Sequence, residues 1–187
     1  MSATPRAGLA GRTKVFAARD EEHAVTSSAV AKGLAAMRIG FGLTFLWAFV
    51  DKLFGLGYAT PSEGAWVNGG SPTEGYLANA STGPFEGFYN ALAGQWWVDV
   101  LFMLGLLAVG LTLILGIGIR LGAAAGVLLY VMMWTVALPP ANNPVLDEHV
   151  LGALGVLVVG LALAGDTWGL GRWWGSVELV QKYPVLR

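Results

Sequence analysis

Chemically active side chains are concentrated in one short segment of this chain, Pro139–Val150, with the sequence PPANNPVLDEHV. The segment joins two long apolar stretches and contains Asn143, Asp147, Glu148 and His149. A carboxylate beside an imidazole can accept and donate protons near neutral pH. We therefore take this segment as the first candidate for proton-handling chemistry.

Asp51 is a further carboxylate, placed at the end of the first apolar stretch. In a helix it shares a face with Gly40 and Trp47, and this face of small residues is expected to point into the protein. His149 begins the last apolar stretch and lies on the same helix face as the small residues Ala153 and Gly160. Both side chains would lie at the same end of their helices and face inward. We therefore predict that Asp51, Glu148 and His149 form one catalytic site.

The same residues also have structural interpretations, which the sequence leaves open. Asp147 and Glu148 would complement the dipole at the start of a helix and cap its free amides. Asn143 suits a turn after the two prolines. Asp51 would pair with Lys52 or cap a neighbouring helix.

The composition predicts an integral membrane protein. Of 187 residues, 55% are hydrophobic and 12% are charged, whereas soluble domains average about 25% charged residues. A hydrocarbon layer of about 30 Å requires roughly 17–25 apolar residues per helix. We predict four membrane spans: Val30–Phe54, Trp97–Ile119, Leu121–Leu138 and His149–Gly165. The expected fold is an all-α, four-helix transmembrane bundle, because these segments lack the polar outer faces of a soluble bundle.

The distribution of basic residues predicts the orientation. Residues 1–28 form a polar tail without the apolar core of a signal peptide, and residues 29–187 form the membrane domain. Nine of the basic residues lie on one side: Arg6, Arg12, Lys14, Arg19, Lys32, Arg120, Arg172, Lys182 and Arg187. By the positive-inside rule, both termini are cytoplasmic in a multi-pass protein of the plasma (inner) membrane. Residues 166–187, rich in tryptophan, are expected to anchor the inner side.

The loop 55–96 is too long for a simple connection and contains helix signals. Ser71-Pro72-Thr73-Glu74 resembles a capped helix start, and a second short helix is expected within Pro84–Ala93. Many aromatic residues suit a position at the headgroup boundary. We therefore predict an ordered outer loop that carries short helices.

Small residues at helical spacing predict which faces of the spans pack together. The three predicted stripes are Ala36/Gly40/Thr44/Ala48, Gly105/Ala108/Thr112/Gly116 and Ala153/Gly160/Ala164. Arg38 lies inside the first span, near its cytoplasmic end. We expect its long side chain to reach the inner headgroups.

The composition also excludes several chemistries. Without cysteine there is no dithiol relay, no thiolate-bound zinc and no cysteine-held iron–sulfur cluster. The two histidines, His23 and His149, would lie on opposite sides of the membrane, so neither haem nor another metal site is expected. No basic footprint for nucleic acid is present. A hydrophobic quinone needs only an aromatic groove and proton donors, which Trp47, Trp134 and Asn143 would provide beside His149.

Four motifs resemble the DoxX/DoxD family: Arg38–Trp47 (RIGFGLTFLW) followed by Asp51-Lys52, Gly116–Arg120 (GIGIR), Asn143–His149 (NPVLDEH), and Trp66–Pro72 (WVNGGSP) in the outer loop. The last is similar to the DoxD branch, the small subunit of thiosulfate:quinone oxidoreductase. The similarity runs from about Lys32 to Trp174. In one departure, Leu106 follows Gly105 where many relatives carry glutamate.

The resemblance implies a four-helix membrane protein that takes part in quinone-linked sulfur oxidation. The expected function is a quinone-interacting subunit of a membrane oxidoreductase, embedded in the lipid bilayer with a partner subunit or a second copy. The alternative is a non-catalytic scaffold that docks a partner through its aromatic outer loop. A small-solute transporter would need a cavity or a broken helix, which these tightly packing stripes do not indicate.

Overall fold

The computed structural model describes residues 28–187, and within this range the chain forms helices and turns without strands. The helices are α1 (Ser28–Phe54), α2 (Glu74–Asn79), α3 (Glu86–Leu92), α4 (Trp96–Leu115), α5 (Ile119–Val136), α6 (Glu148–Leu161), α7 (Gly171–Gly175) and α8 (Glu178–Lys182). The all-α prediction is confirmed. The predicted tail, apart from Ser28, and His23 lie outside the described residues.

The four long helices pack around one core. α1 lies between α4 and α6, and α5 packs against both α4 and α6. The residue contacts between consecutive long helices show that they run in opposite directions. The core side chains include Phe45, Met103, Val109, Leu113 and Val156. We call the end formed by residues 55–95 and 137–147 the cap end, and the opposite end, formed by residues 116–118 and 162–187, the tail end.

Three of these helices, α1, α4 and α5, are long and apolar enough to cross a membrane. Their outward faces carry exposed leucines such as Leu43, Leu104 and Leu128. The chain is therefore a membrane protein. The fourth predicted span is shorter than expected: α6 has 14 residues, about 21 Å at 1.5 Å per residue. It ends at Leu161, and Leu163 then adopts a left-handed backbone conformation with φ 49°.

The predicted packing face of α1 is wrong, because the buried residues lie on nearly the opposite side of the helix from the predicted stripe. Its buried residues are Ala35, Arg38, Gly42, Phe45 and Asp51, whereas Ala36, Gly40 and Thr44 are exposed. The reason is the close approach of α4. A Cβ atom on Gly42 would lie 2.9 Å from the backbone nitrogen of Ile114, but one on Gly40 would meet nothing within 4 Å.

The same crossing decides the buried face of α4. Gly110 faces the backbone of α1, where an added Cβ atom would lie 2.9 Å from the nitrogen of Leu46. The predicted stripe on this helix is confirmed only in part: Thr112 packs against Gly122 of α5 and Gly116 is buried, but Ala108 is exposed. The stripe on the last segment is confirmed, because Ala153, Gly160 and Ala164 are all buried.

Arg38 is fully buried, so the expectation that it reaches the headgroups is wrong. Its guanidinium donates hydrogen bonds to the carbonyls of Leu113, Ile114 and Trp168. The last carbonyls of a helix have no partner within the helix, and α4 ends at Leu115 beside this side chain. Arg38 therefore ties α1 to the end of α4 and to the segment after α6.

The cap formed by residues 55–95 is ordered and contains the two predicted short helices, α2 and α3. The hydroxyl of Ser71 accepts a hydrogen bond from the Glu74 amide at the start of α2, in line with the predicted cap. The first turn of α4 holds this segment, because Asp99 Oδ1 accepts from the Ser71 hydroxyl and from both the amide and the hydroxyl of Thr73. Tyr89 in α3 contacts the Thr135 hydroxyl at 2.6 Å. The cap is thus docked on α4 and α5.

Residues 166–187 form short helices that pack against the ends of the long helices at the tail end. The indole of Trp174 donates to the Leu186 carbonyl at 2.6 Å, and the Arg187 guanidinium lies 2.9 Å from the Asp166 carboxylate. Trp168 and Trp173 stay exposed. This arrangement is typical of a segment that lies at a membrane interface.

Candidate functional site

Asp147 defines the start of α6. Its backbone is extended, and its side-chain Oδ1 accepts hydrogen bonds from the amides of His149 and Val150, each at 3.0 Å. Such an N-cap satisfies amides that the helix itself cannot pair. The capping interpretation of Asp147 is therefore confirmed.

The other oxygen of the same carboxylate holds the imidazole of His149. Asp147 Oδ2 lies 2.8 Å from His149 Nδ1. Burial acts to raise the pKa of Asp147, but its hydrogen bonds with the His149 side chain and the Val150 amide, together with the charge of His149, outweigh this effect and lower it. Asp147 is thus a carboxylate that can only accept, so Nδ1 carries the hydrogen. Among residues 28–187, no group makes a hydrogen bond to Nε2 of His149.

His149 lies at one end of a groove between α5 and α6. The groove has a volume of about 340 Å³, and its walls are almost entirely carbon. Its lining residues are Val127, Tyr130, Val131, Trp134, Val145, His149, Val150, Ala153, Leu154 and Leu157. Several of them also belong to the exposed outer surface of the helices, so the groove is continuous with the lipid-facing side.

Two aromatic residues on one face of α5 shape the groove. The Trp134 indole donates to the Val145 carbonyl at 3.0 Å and so holds the loop against the helix. One turn earlier, the Tyr130 ring lies edge-on to His149, with centroids 6.5 Å apart. The ring fits because residue 152 is glycine, where a Cβ atom would lie 2.6 Å from Tyr130 Cζ. Tyr130 was not predicted, although its i, i+4 spacing to Trp134 is a signal for it.

Asn143 is a turn residue in this structure. Its side-chain oxygen accepts hydrogen bonds from the amides of Val145 and Leu146, both at 2.9 Å. This is the local turn that the structural interpretation favours. Asn143 therefore supports the groove indirectly, by fixing Val145, and it is not among the lining residues.

Asp51 and Trp47 do not join the groove. Asp51 is buried, as predicted, but its two oxygens accept from the amides of Tyr58 and Ala59 in the cap. Within the described range it makes no hydrogen bond or ion pair with His149. Trp47 is 46% exposed and packs edge-on against Tyr58. The structure therefore does not bring Asp51 and Trp47 into the groove with His149, because Asp51 is bound to the cap and Trp47 packs on Tyr58.

Glu148 is exposed beside the Asp147–His149 pair. Ligand atoms of Asp147, Glu148 and His149 all lie within 4.8 Å of one another, which makes them the group in residues 28–187 that could hold a metal ion. Asp147 already serves as a helix cap and as the partner of Nδ1. The remaining free atoms are Nε2 of His149 and the carboxylate of Glu148.

Tyr76 connects the cap to this site and was also not predicted. Its hydroxyl lies 3.4 Å from the carbonyl of Met133, the residue before Trp134. Burial raises the pKa of Tyr76, and the charges of Asp147 and Glu148 raise it further. No spacing pattern signals this residue, because only the docking of α2 on α5 brings it here.

Comparisons of the chain with protein-family models, with curated proteins and with solved structures find no match. No family is shown. The resemblance to DoxX/DoxD proteins remains a prediction that rests on the motifs quoted above.

The geometry defines what the site can do chemically. Neutral His149 offers Nε2 as a proton acceptor, and protonated His149 offers the same atom as a donor. Whether His149 accepts or donates the proton, Asp147 stabilises the imidazolium through its contact with Nδ1. The site is suited to exchange a proton at the polar end of a groove that otherwise accepts only apolar groups.

Proposed function

We propose that this chain is a quinone-binding subunit of a membrane oxidoreductase. The observation that carries the proposal is the Asp147–His149 pair at the polar end of an apolar groove between two helices of a membrane protein. A quinone has an apolar body that partitions into lipid, and carbonyl oxygens that accept hydrogen bonds. These two properties match the carbon walls of the groove and the free Nε2 of His149.

The proposed residue roles follow from proton balance. Reduction of a quinone to a quinol takes up two electrons and two protons. Protonated His149 donates one proton from Nε2 to a quinone carbonyl, while Asp147 keeps the imidazole in place. Glu148, which is exposed at the same end, passes the second proton from water. Asp51 takes no part, since its oxygens are bound to the cap.

The electrons come from a partner subunit that oxidises a sulfur compound. Thiosulfate is the donor that the resemblance to the DoxX/DoxD family implies, and joining two thiosulfate ions into tetrathionate releases the two electrons required. Because the chain has no cysteine, any covalent thiosulfate or persulfide intermediate on cysteine forms on the partner. This division assigns quinone binding and proton transfer to the present chain.

In this proposal α6 acts as the fourth membrane span. Its outward side carries Leu151, Leu154 and Leu161, all more than half exposed, as expected of a helix that faces lipid. α1 begins and α6 ends at the tail end, so residues 28 and 187 lie on one side of the membrane. The basic residues of that side make it cytoplasmic. A short span is accommodated by local thinning of the bilayer.

The test is the quinone content of the purified protein. Wild type, His149→Ala, Trp134→Leu and Trp96→Leu are purified in mild detergent from a quinone-containing membrane, and the quinone in an organic extract is measured per chain. Trp96 is 74% exposed and lies outside the groove, so its replacement controls for the loss of a tryptophan.

We expect close to one quinone per chain in wild type and in Trp96→Leu, and a loss in the other two variants. Reconstituted His149→Gln, which keeps the shape but cannot donate as a cation, should bind quinone yet reduce it slowly. If wild type carries no quinone and binds none when it is added, the proposal is wrong.

One observation favours the alternative function as a scaffold. The cap exposes large aromatic side chains, with Tyr58 at 78% and Phe88 at 60% of their surface. In that case, Phe88→Ser would release a partner subunit that co-purifies with wild type, while His149→Ala would have no effect. The reverse pattern would support the quinone-binding function.

A further inference from the structure

We infer that the groove between α5 and α6 holds the isoprenoid tail of the quinone, with the ring at the cap end beside His149. This inference rests on the proposed function and adds to it the part of the ligand that determines affinity. It predicts selection for quinones with an isoprenoid tail over small quinones that lack one.

The groove is long enough to hold part of a hydrocarbon tail in addition to a quinone ring. Its lining extends from Val127 to Trp134 on α5 and from His149 to Leu157 on α6. At 1.5 Å per residue these are about 10–12 Å along the helix axes. That is room for a ring placed at His149 and the first isoprene unit behind it, and the rest of the tail would continue into lipid.

The wall chemistry favours a hydrocarbon chain. The indole nitrogen of Trp134 is already bound to Val145, and Nδ1 of His149 is bound to Asp147. The groove is therefore lined almost entirely by carbon away from its cap end. Leu154 and Leu157 are also 53% and 41% exposed on the outer surface, so a tail can enter sideways from the bilayer.

The charge of the site decides whether the hydrocarbon tail in the groove belongs to a quinone or to a phospholipid. The head of a ligand whose tail fills the groove must lie beside Asp147 and Glu148. Asp147 and Glu148 carry two negative charges against at most one positive charge on His149, so the net negative charge repels the phosphate of a phospholipid, whereas the ring of a quinone is neutral and accepts a hydrogen bond from His149. The site therefore selects a neutral head on an apolar tail.

The test compares quinones that share a ring and differ in the tail: one without a tail, one with a decyl chain and one with several isoprene units. Affinities are measured by quenching of tryptophan fluorescence in detergent. Ala153→Leu fills the groove from its floor. Leu157→Trp fills it from the exposed side, where the larger side chain does not crowd the packed core. Ala124→Leu, an exposed position on α5, is the control for added bulk.

For wild type and Ala124→Leu we expect the tailed quinones to bind at least about tenfold more tightly than the tail-less one, since burying even two methylene groups gives a factor of this size. Both groove variants should lose this advantage and keep the affinity for the tail-less quinone.

Unchanged affinity for tailed quinones in both groove variants would place the tail elsewhere and overturn the inference, while a loss in His149→Ala would still uphold the proposed function. An equal loss for tailed and tail-less quinones would also contradict it. Extracts that show a phospholipid displaced by Ala153→Leu, with quinone retained, would overturn it in favour of a lipid site. Failure of wild type to bind any quinone would end both proposals.

Discussion

Asp147 Oδ2 and His149 Nδ1 lie 2.8 Å apart at the start of α6, and Asp147 Oδ1 caps the same helix. The Asp147 carboxylate thus caps the helix with one oxygen and binds the His149 imidazole with the other, although the sequence presents a structural and a functional role as alternatives. The helix backbone fixes the position of Asp147, and Asp147 in turn fixes the tautomer of His149. The candidate site is therefore preorganised by local structure.

Replacing Asp147 with asparagine should reduce stability in a pH-dependent way. The folded pKa of Asp147 is lowered, so its charge stabilises the fold above the ordinary value near pH 4, and this contribution is lost as the pH falls through the lowered folded pKa. Asparagine keeps the cap. We expect wild type to be more stable by about 1 kcal/mol at pH 6, with the difference shrinking as the pH falls below about 4.

Thermal unfolding in detergent from pH 3 to pH 7 measures this difference. Glu86→Gln, which replaces an exposed carboxylate, serves as the control. A gap between wild type and Asp147→Asn that persists unchanged at pH 3 would show that the charge of Asp147 is not its cause.

Replacing Arg38 should be among the most damaging single changes. Arg38→Ala leaves the buried carbonyls at the end of α4 without partners, at a cost of about 1–3 kcal/mol for each unpaired group. Arg38→Lys keeps the charge but cannot reach several carbonyls at once, so we expect an intermediate loss. Melting temperature and monodispersity in detergent report both effects, with exposed Lys32→Ala as the control. Equal stability of Arg38→Ala and Lys32→Ala would contradict the described role.

Two glycines of α1 provide a matched pair. Gly42→Ala forces a Cβ atom against the backbone of Ile114, whereas Gly40→Ala enters open space. We expect the first to lower the melting temperature. The second should be neutral or should stabilise the helix by up to about 1 kcal/mol, because alanine has the higher helix propensity. If Gly40→Ala proved the more harmful, the sequence-predicted packing face would be right and the observed one wrong.

Asp99 should control the docking of the cap. Asp99→Ala removes the acceptor for the buried amide and hydroxyl of Thr73, at a cost of about 1–3 kcal/mol. We expect faster proteolytic cleavage within residues 55–95 while the helical circular dichroism signal remains. Glu63→Gln, an exposed position in the same cap, should cleave like wild type. Unchanged protection in Asp99→Ala would mean that Tyr89 and its contact with Thr135 are sufficient to hold the cap.

The membrane class, the all-α fold and most helix limits could be predicted from the sequence, because they depend on local composition and on helix signals. The Asp147 cap and the Asn143 turn belong to the same category, since their partners lie within three residues. Trp134 and His149, which line the groove, could also be selected from the sequence as aromatic and titratable residues at helix ends.

Tertiary structure alone decided which face of each helix is buried. In water a polar face marks the outside of a helix, but in lipid both faces are apolar, so the pattern does not indicate the partner. The approach of α4 to Gly42, rather than to Gly40, buries Arg38 and directs Asp51 to the cap instead of towards His149. The same packing places Tyr130 and Tyr76 beside the candidate site. The sequence by itself determined the elements and their local chemistry, whereas the contacts between helices decided which residues form one site.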